Sequence, residues 1–265
     1  MEILIREFNQ LKAEMIACLE ATSTSGFSHI QHYILFFSHP LFSFTDSIVI
    51  LCQNGKFNSA QVLLRSLLEA HINIIYHQVA DTERRLALSA KELQDSRFKV
   101  LSEIKDLIRL YPNQRDQDQS KLFNEIYLDS QIERVKREQL AIKRANNLSI
   151  NEKPPGLRDK AIACDAGDVK NAEPGSFQRM YTLIYRQLSP AAHLDVEGLQ
   201  YFVDKNDDSS LVFTDGDSGD HLIRNAIDIC LAYMKDLFDS KILDGEPSAT
   251  LRRVEQLLKE QLTSE

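Results

Sequence analysis

Tryptophan is absent from this 265-residue chain, and the two helix-ending residues are scarce, with 9 glycines and 7 prolines. So little punctuation excludes collagen-like and low-complexity chains and leaves long stretches free to be regular. The four cysteines (Cys18, Cys52, Cys164 and Cys230) contain no Cys-x-x-Cys pair, so neither a zinc knuckle nor a dithiol redox motif is expected. Single cysteines on apolar helices act as small core residues and suit a reducing compartment. Long apolar runs are missing as well. Tyr33–Phe37 and Ile48–Cys52 hold five residues each, whereas a transmembrane helix needs about 20. Met1 to Arg6 enters an amphipathic pattern directly, without an apolar signal core. These absences predict a cytoplasmic protein with no membrane segment. Positive charge is also in deficit, with 31 Lys and Arg against 39 Asp and Glu, a net charge of −8. Such a field repels phosphate, so nucleic acid would have to be met through a local basic patch. There is no P-loop, dinucleotide-binding glycine turn or Gly-x-Ser-x-Gly elbow. The acidic stretch 204–220 lacks the ligand order of an EF-hand. Neither a metal site nor a cofactor is predicted.

What the chain does have is helical periodicity. Leu4, Phe8, Leu11, Met15 and Leu19 recur at steps of three or four, the mark of an amphipathic helix. The segment 27–38 is apolar and aromatic, and Pro40 is expected to interrupt it before a helix over about 41–53. Asn54-Gly55 suits a left-handed end to that helix, and Asn58 or Ser59 is placed to cap the next one, which runs to about 79. That next helix is apolar on most of its circumference and is predicted to be the central, most buried element. A helix from Asp81 or Thr82 to about Tyr111, a long charged helix over about 120–147, and helices over 177–189, 219–241 and 248–262 complete the set. Residues 151–176 hold three of the prolines and three of the glycines and read as a surface loop with one short helical turn at most. Tyr201–Val203 and Leu211–Phe213 flank a polar turn and can pair as a short hairpin. The fold class is all-α: one helical bundle over 1–265, with a long charged helix.

Two constellations carry chemistry. On the central helix Gln61, Arg65, Glu69, Asn73 and His77 form a polar line at steps of four. Arg65 and Glu69 either make an i,i+4 ion pair at a partly exposed seam or line a polar pocket. Over 181–193, Tyr181, Tyr185 and Ser189 share another i+4 line, while Arg186 and His193 are seven apart, nearly two full turns. An imidazole beside a permanent cation suits phosphodiester cleavage: the base activates a ribose 2′-hydroxyl and the guanidinium stabilises the charge growing on phosphorus-bound oxygens. A second Arg-to-His pair, Arg65 and His71, lies about 120° apart on an unbroken helix and fits less well. The basic residues Arg134, Lys136, Arg137, Lys143 and Arg144 on the charged helix read as a solvated face first and an RNA contact second.

The spacing of Arg186 and His193 at a helix end resembles the HEPN superfamily. The segments Arg65-Ser-Leu-Leu-Glu69 and Tyr185 to His193 also resemble an uncharacterised bacterial family with Arg/Glu and Tyr–Ser–His motifs. The HEPN resemblance implies a metal-independent endoribonuclease, a toxin or phage-defence effector, that cuts RNA, works as a homodimer and answers to a cognate regulator protein. It also implies Arg186 and His193 as catalytic residues, with Arg65, Glu69, Tyr185 and Ser189 in support. The alternative is a non-catalytic helical protein with a partner-binding or regulatory role.

Overall fold

The computed structural model describes residues 1–110, 125–149, 151–167, 175–185, 203–205, 211–213 and 219–263. Its helices are α1 (Glu2–Ala21), α2 (His29–Phe36), α3 (Ser38–Gln53), α4 (Phe57–Val79), α5 (Thr82–Leu110), α6 (Glu125–Ala145), α7 (Leu157–Ala166), α8 (Ser176–Met180), α9 (Asp220–Asp239) and α10 (Ala249–Thr263). A π turn, Tyr181–Tyr185, continues α8. Two three-residue strands, Val203–Lys205 and Leu211–Phe213, pair antiparallel with Val203 opposite Phe213. Among the described residues the fold is all-α apart from this one pairing.

The chain divides into two compact units. The first comprises residues 1–80 and 157–265 and is built around α4. Leu64, Leu67, Leu68, Ile72, Ile74 and Ile75 of that helix are buried, because apolar residues on several sides let it pack against α3, α7 and α9 at once. Three of the four cysteines, Cys52, Cys164 and Cys230, fill small places in this core, and all four are free thiols.

Local sequence sets the helix ends. Gly55 takes φ +71°, which lets its amide bond the Cys52 carbonyl (3.1 Å) and the Lys56 amide bond the Leu51 carbonyl (2.8 Å). This pair of bonds closes α3 as the Asn-Gly sequence implies. The start of α4 differs from expectation: the helix begins at Phe57, two residues earlier than an Asn58 cap implies, and Asn58 is buried inside its first turn instead of capping it. The expected break at Pro40 falls instead at Phe37, and Pro40 sits in the first turn of α3, where a missing N–H leaves no bond unmade.

The combined stretch His29–Gln53, 25 residues with a mean hydropathy of 1.6 in its most apolar window, has the length and composition of a membrane span. Its inward residues Ile34, Leu41, Ile48 and Cys52 belong to the hydrophobic core. The junction at Phe37 is held from α9. The buried Tyr233 hydroxyl donates to the Ile34 carbonyl at 3.1 Å and meets the Ser38 hydroxyl. Burial raises the Tyr233 phenol above its ordinary pKa. Tyr233→Phe leaves that carbonyl and that hydroxyl short of a partner, and a loss of about 1–2 kcal/mol in stability is expected from urea unfolding.

The second unit, residues 81–156, is a helical hairpin of α5 and α6. Lys91 is buried and donates to Asp95 at 2.8 Å, while the other oxygen of Asp95 accepts from Gln139 on α6 at 2.9 Å. Two of the basic residues of α6 are engaged along their own helix. Arg134 donates to Glu138 at 2.9 Å and Lys136 to Glu133 at 2.8 Å, the pattern of a solvated charged face.

Residues 151–176 contain more than a loop. Pro154, Pro155 and Gly156 precede α7 and Gly167 follows it, so the breakers bracket a ten-residue helix whose Ala161 and Cys164 join the core.

Candidate functional site

The polar line of α4 is a docking seam. At its lower end Asn73 accepts a hydrogen bond from Lys160 of α7 at 2.8 Å, and the Lys160 ammonium lies 5.7 Å from the Tyr76 ring centroid. His77 is buried with its ring edge-on to Tyr33, 4.6 Å between centroids. At the upper end Arg65 is half-buried and donates from Nη2 to the Tyr185 hydroxyl at 2.9 Å, its guanidinium carbon 4.6 Å from the Tyr185 ring centroid. Between these, Glu69 is exposed. The Arg65–Glu69 ion pair weighed from sequence is not formed among the described residues: Arg65 turns to a tyrosine 120 positions away.

Tyr185 is held there through α7 and α8. The Asp165 carboxylate, near the end of α7, accepts from the Phe177 amide at 3.0 Å and the Gln178 amide at 2.9 Å. It therefore caps α8 from another helix, since Gly175, at the capping position, has no side chain to do so. Phe177 is buried against the His71 ring, 5.8 Å between centroids. From this anchor the chain passes into the π turn, which stacks Tyr181 on Tyr185 at 5.3 Å and 18°. π turns occur often at functional sites. Asp165→Ala removes two charge-assisted bonds, so a stability loss of about 1–3 kcal/mol is expected. Tyrosine fluorescence around the π turn should change with it.

Two buried polar atoms at the seam stand without hydrogen-bond partners among the described residues: Arg65 Nε and Gln61 Oε1, one helical turn apart. His71 is a different case. It is buried, its Nδ1 also lacks a partner among the described residues, and burial pushes its pKa down to about 4. It is a neutral core imidazole near pH 7, so the Arg65 and His71 pair does not present an accessible acid–base group. Among the described residues no group of three His, Cys, Asp or Glu is placed to hold a metal ion.

Of the residues singled out from sequence, Arg65 and Tyr185 are brought into direct contact and Glu69 stands exposed on the same helix. Arg186, Ser189 and His193 lie outside the described residues, as does most of the acidic stretch 204–220. Sequence reasoning missed Asp165 and Lys160. The signal for Asp165 was the empty capping position at Gly175; Lys160 had none, since its partner is 87 residues away.

Comparison with curated proteins and with solved structures gives no significant match in either. A sequence profile described as a family of unknown function (DUF5677) matches residues 31–210, more than half of the chain, from α2 past both segments of the seam. The chain belongs to the DUF5677 family.

Proposed function

We propose that this protein is a metal-independent endoribonuclease of the HEPN type, acting through Arg186 and His193. The observation that supports this reading is the bond between Arg65 and Tyr185. It ties the segment that carries Arg186 and His193 to the central helix at Tyr185, the residue immediately before Arg186. In this mechanism His193 takes the proton from a ribose 2′-hydroxyl, and the 2′-oxygen attacks the adjacent phosphorus. The Arg186 guanidinium stabilises the charge on the non-bridging oxygens. The proton that His193 took up then passes to the departing 5′-oxygen, giving a 2′,3′-cyclic phosphate and a 5′-hydroxyl and returning His193 to its neutral form. Arg65 positions Tyr185, and the stacked Tyr181 and Tyr185 rings provide an aromatic surface beside which a base can lie. Ser189 and Glu69 complete the polar surroundings. The cytoplasm, where the free thiols stay reduced, is the compartment this reading requires, with a cognate regulator restraining a toxin or defence effector.

The test is cleavage of single-stranded RNA by the purified chain in excess chelator. Arg65→Leu is expected to lower the rate at least about tenfold, in the range typical of lost positioning, with the helical signal retained. No cleavage of any RNA tried, or cleavage that stops when chelator is added, contradicts the proposal. A second reading, a non-catalytic helical protein that binds a partner, is favoured by the apolar residues left exposed on α5. It gains if the first fails.

A further inference from the structure

Helix α5 carries Leu86, Leu93, Val100 and Leu107 at strict seven-residue intervals. Each interval turns the helix about 700°, so the four residues form a single stripe that drifts only about 20° per step. The stripe lies outside the hairpin's own core: Leu93, Val100 and Leu107 are 56%, 50% and 52% exposed. The buried residues of α5, among them Leu88, Lys91 and Ile108, occupy a different face. Beside the stripe, a groove of about 400 Å³ between α5 and α6 is lined by Val100, Ile104, Tyr127 and Val135. An exposed apolar stripe along one face of a helix is a surface that a second helix can cover.

The charges flanking the stripe identify that helix. The position before each stripe residue holds Arg85, Glu92, Lys99 and Asp106 in turn, so sign alternates along one edge: plus, minus, plus, minus. This order is complementary to itself when reversed. With a twofold axis between Leu93 and Val100, Leu93 meets the second copy's Val100 and Leu86 meets its Leu107. Glu92 then stands within two residues, about 3 Å along the axis, of the second copy's Lys99. Arg85 stands equally close to the second copy's Asp106. Four complementary contacts follow from two kinds of pair. A parallel pairing sets Arg85 beside Ala90 and Lys99 beside Ile104 and keeps only Glu92 with Arg97. On the other edge the antiparallel arrangement brings Arg97 near its own copy, a like-charge contact that the four complementary ones must outweigh.

We propose that the protein forms a homodimer through antiparallel pairing of α5 with the α5 of a second copy. This proposal is independent of the ribonuclease reading. Sedimentation equilibrium of the full chain at micromolar concentration tests it. The wild type is expected to be a dimer, and Val100→Glu to raise the dissociation constant more than about tenfold, as a desolvated charge at an interface does. Circular dichroism should give unchanged helix content. Glu92→Lys and Lys99→Glu should each weaken the dimer, and the doubly substituted chain should recover wild-type affinity. A monomeric wild type overturns the proposal, as does a dimer indifferent to both Val100→Glu and Leu93→Glu. Failure of the double substitution to restore association overturns it too, because the charges would then not face one another.

Discussion

His193→Ala is expected to lower RNA cleavage by about 10²–10⁴-fold, the range for loss of a general acid or base, while the protein stays folded. His193 is the histidine singled out in the sequence by its seven-residue spacing from Arg186, and it follows Tyr185, the residue held by Arg65. The competing role for such a histidine, one structural hydrogen bond at a helix end, is worth about 1 kcal/mol. In a chain of this size that lowers the melting temperature by only about 2–4 °C and leaves the chemistry intact. Rate and unfolding measured together therefore separate the two roles. Arg186→Ala should behave like His193→Ala in rate, because the guanidinium and the imidazole serve one transition state, and the two losses should not add when combined. Wild-type cleavage by His193→Ala would remove the catalytic assignment.

Asp236→Asn is expected to stabilise the protein at pH 8 and to change it little at pH 4. Asp236 lies on α9, its Oδ2 is buried without a hydrogen-bond partner among the described residues, and its pKa is pushed up to about 7. Burial is the main cause, the charge of Asp239 adds to it, and Lys235 works the other way. A carboxyl whose folded pKa lies above its unfolded value favours the protonated folded state. Its stabilising contribution is whole below about pH 4 and is lost as pH rises through about 7. The shift corresponds to roughly 4 kcal/mol of lost stability at pH 8. An amide of the same shape carries no charge to bury. At pH 8 the variant should recover a large part of that loss, seen as a melting temperature higher by roughly 5–10 °C. A variant less stable than wild type at both pH values would mean that the carboxylate has a favourable partner.

Much of the fold was readable because its signals are local. The three- and four-residue steps of α1, the Asn-Gly end of α3 and the apolar circumference of α4 each depend on residues within a few turns of one another. The errors arose where a local signal had two readings. Pro40 marks a first turn as readily as a break, and only the bond from Tyr233, some 200 positions on, distinguishes Phe37 as the junction. Pro154, Pro155, Gly156 and Gly167 suggested a loop, yet the ten residues they enclose form α7, whose burial depends on its packing against α4. At the site, Arg65 and Tyr185 were recognisable as polar residues on defined helical lines. Their contact was not, because i,i+4 geometry on α4 offered Glu69 as the nearer partner. The π turn and the cap from Asp165 turn Tyr185 toward Arg65, and neither leaves a pattern in the sequence around Arg65.

In the proposed reaction the ribose 2′-hydroxyl is the nucleophile. A single-stranded RNA of defined sequence, incubated with the wild-type chain in excess chelator, measures it directly when compared with the same strand carrying 2′-deoxyribose at the cleaved position. The expected result is cleavage of the all-ribose strand to a 2′,3′-cyclic phosphate and a 5′-hydroxyl, with no cut at the deoxyribose. Equal cleavage of both strands, or products with a 5′-phosphate, would contradict the account, because water would then be the nucleophile.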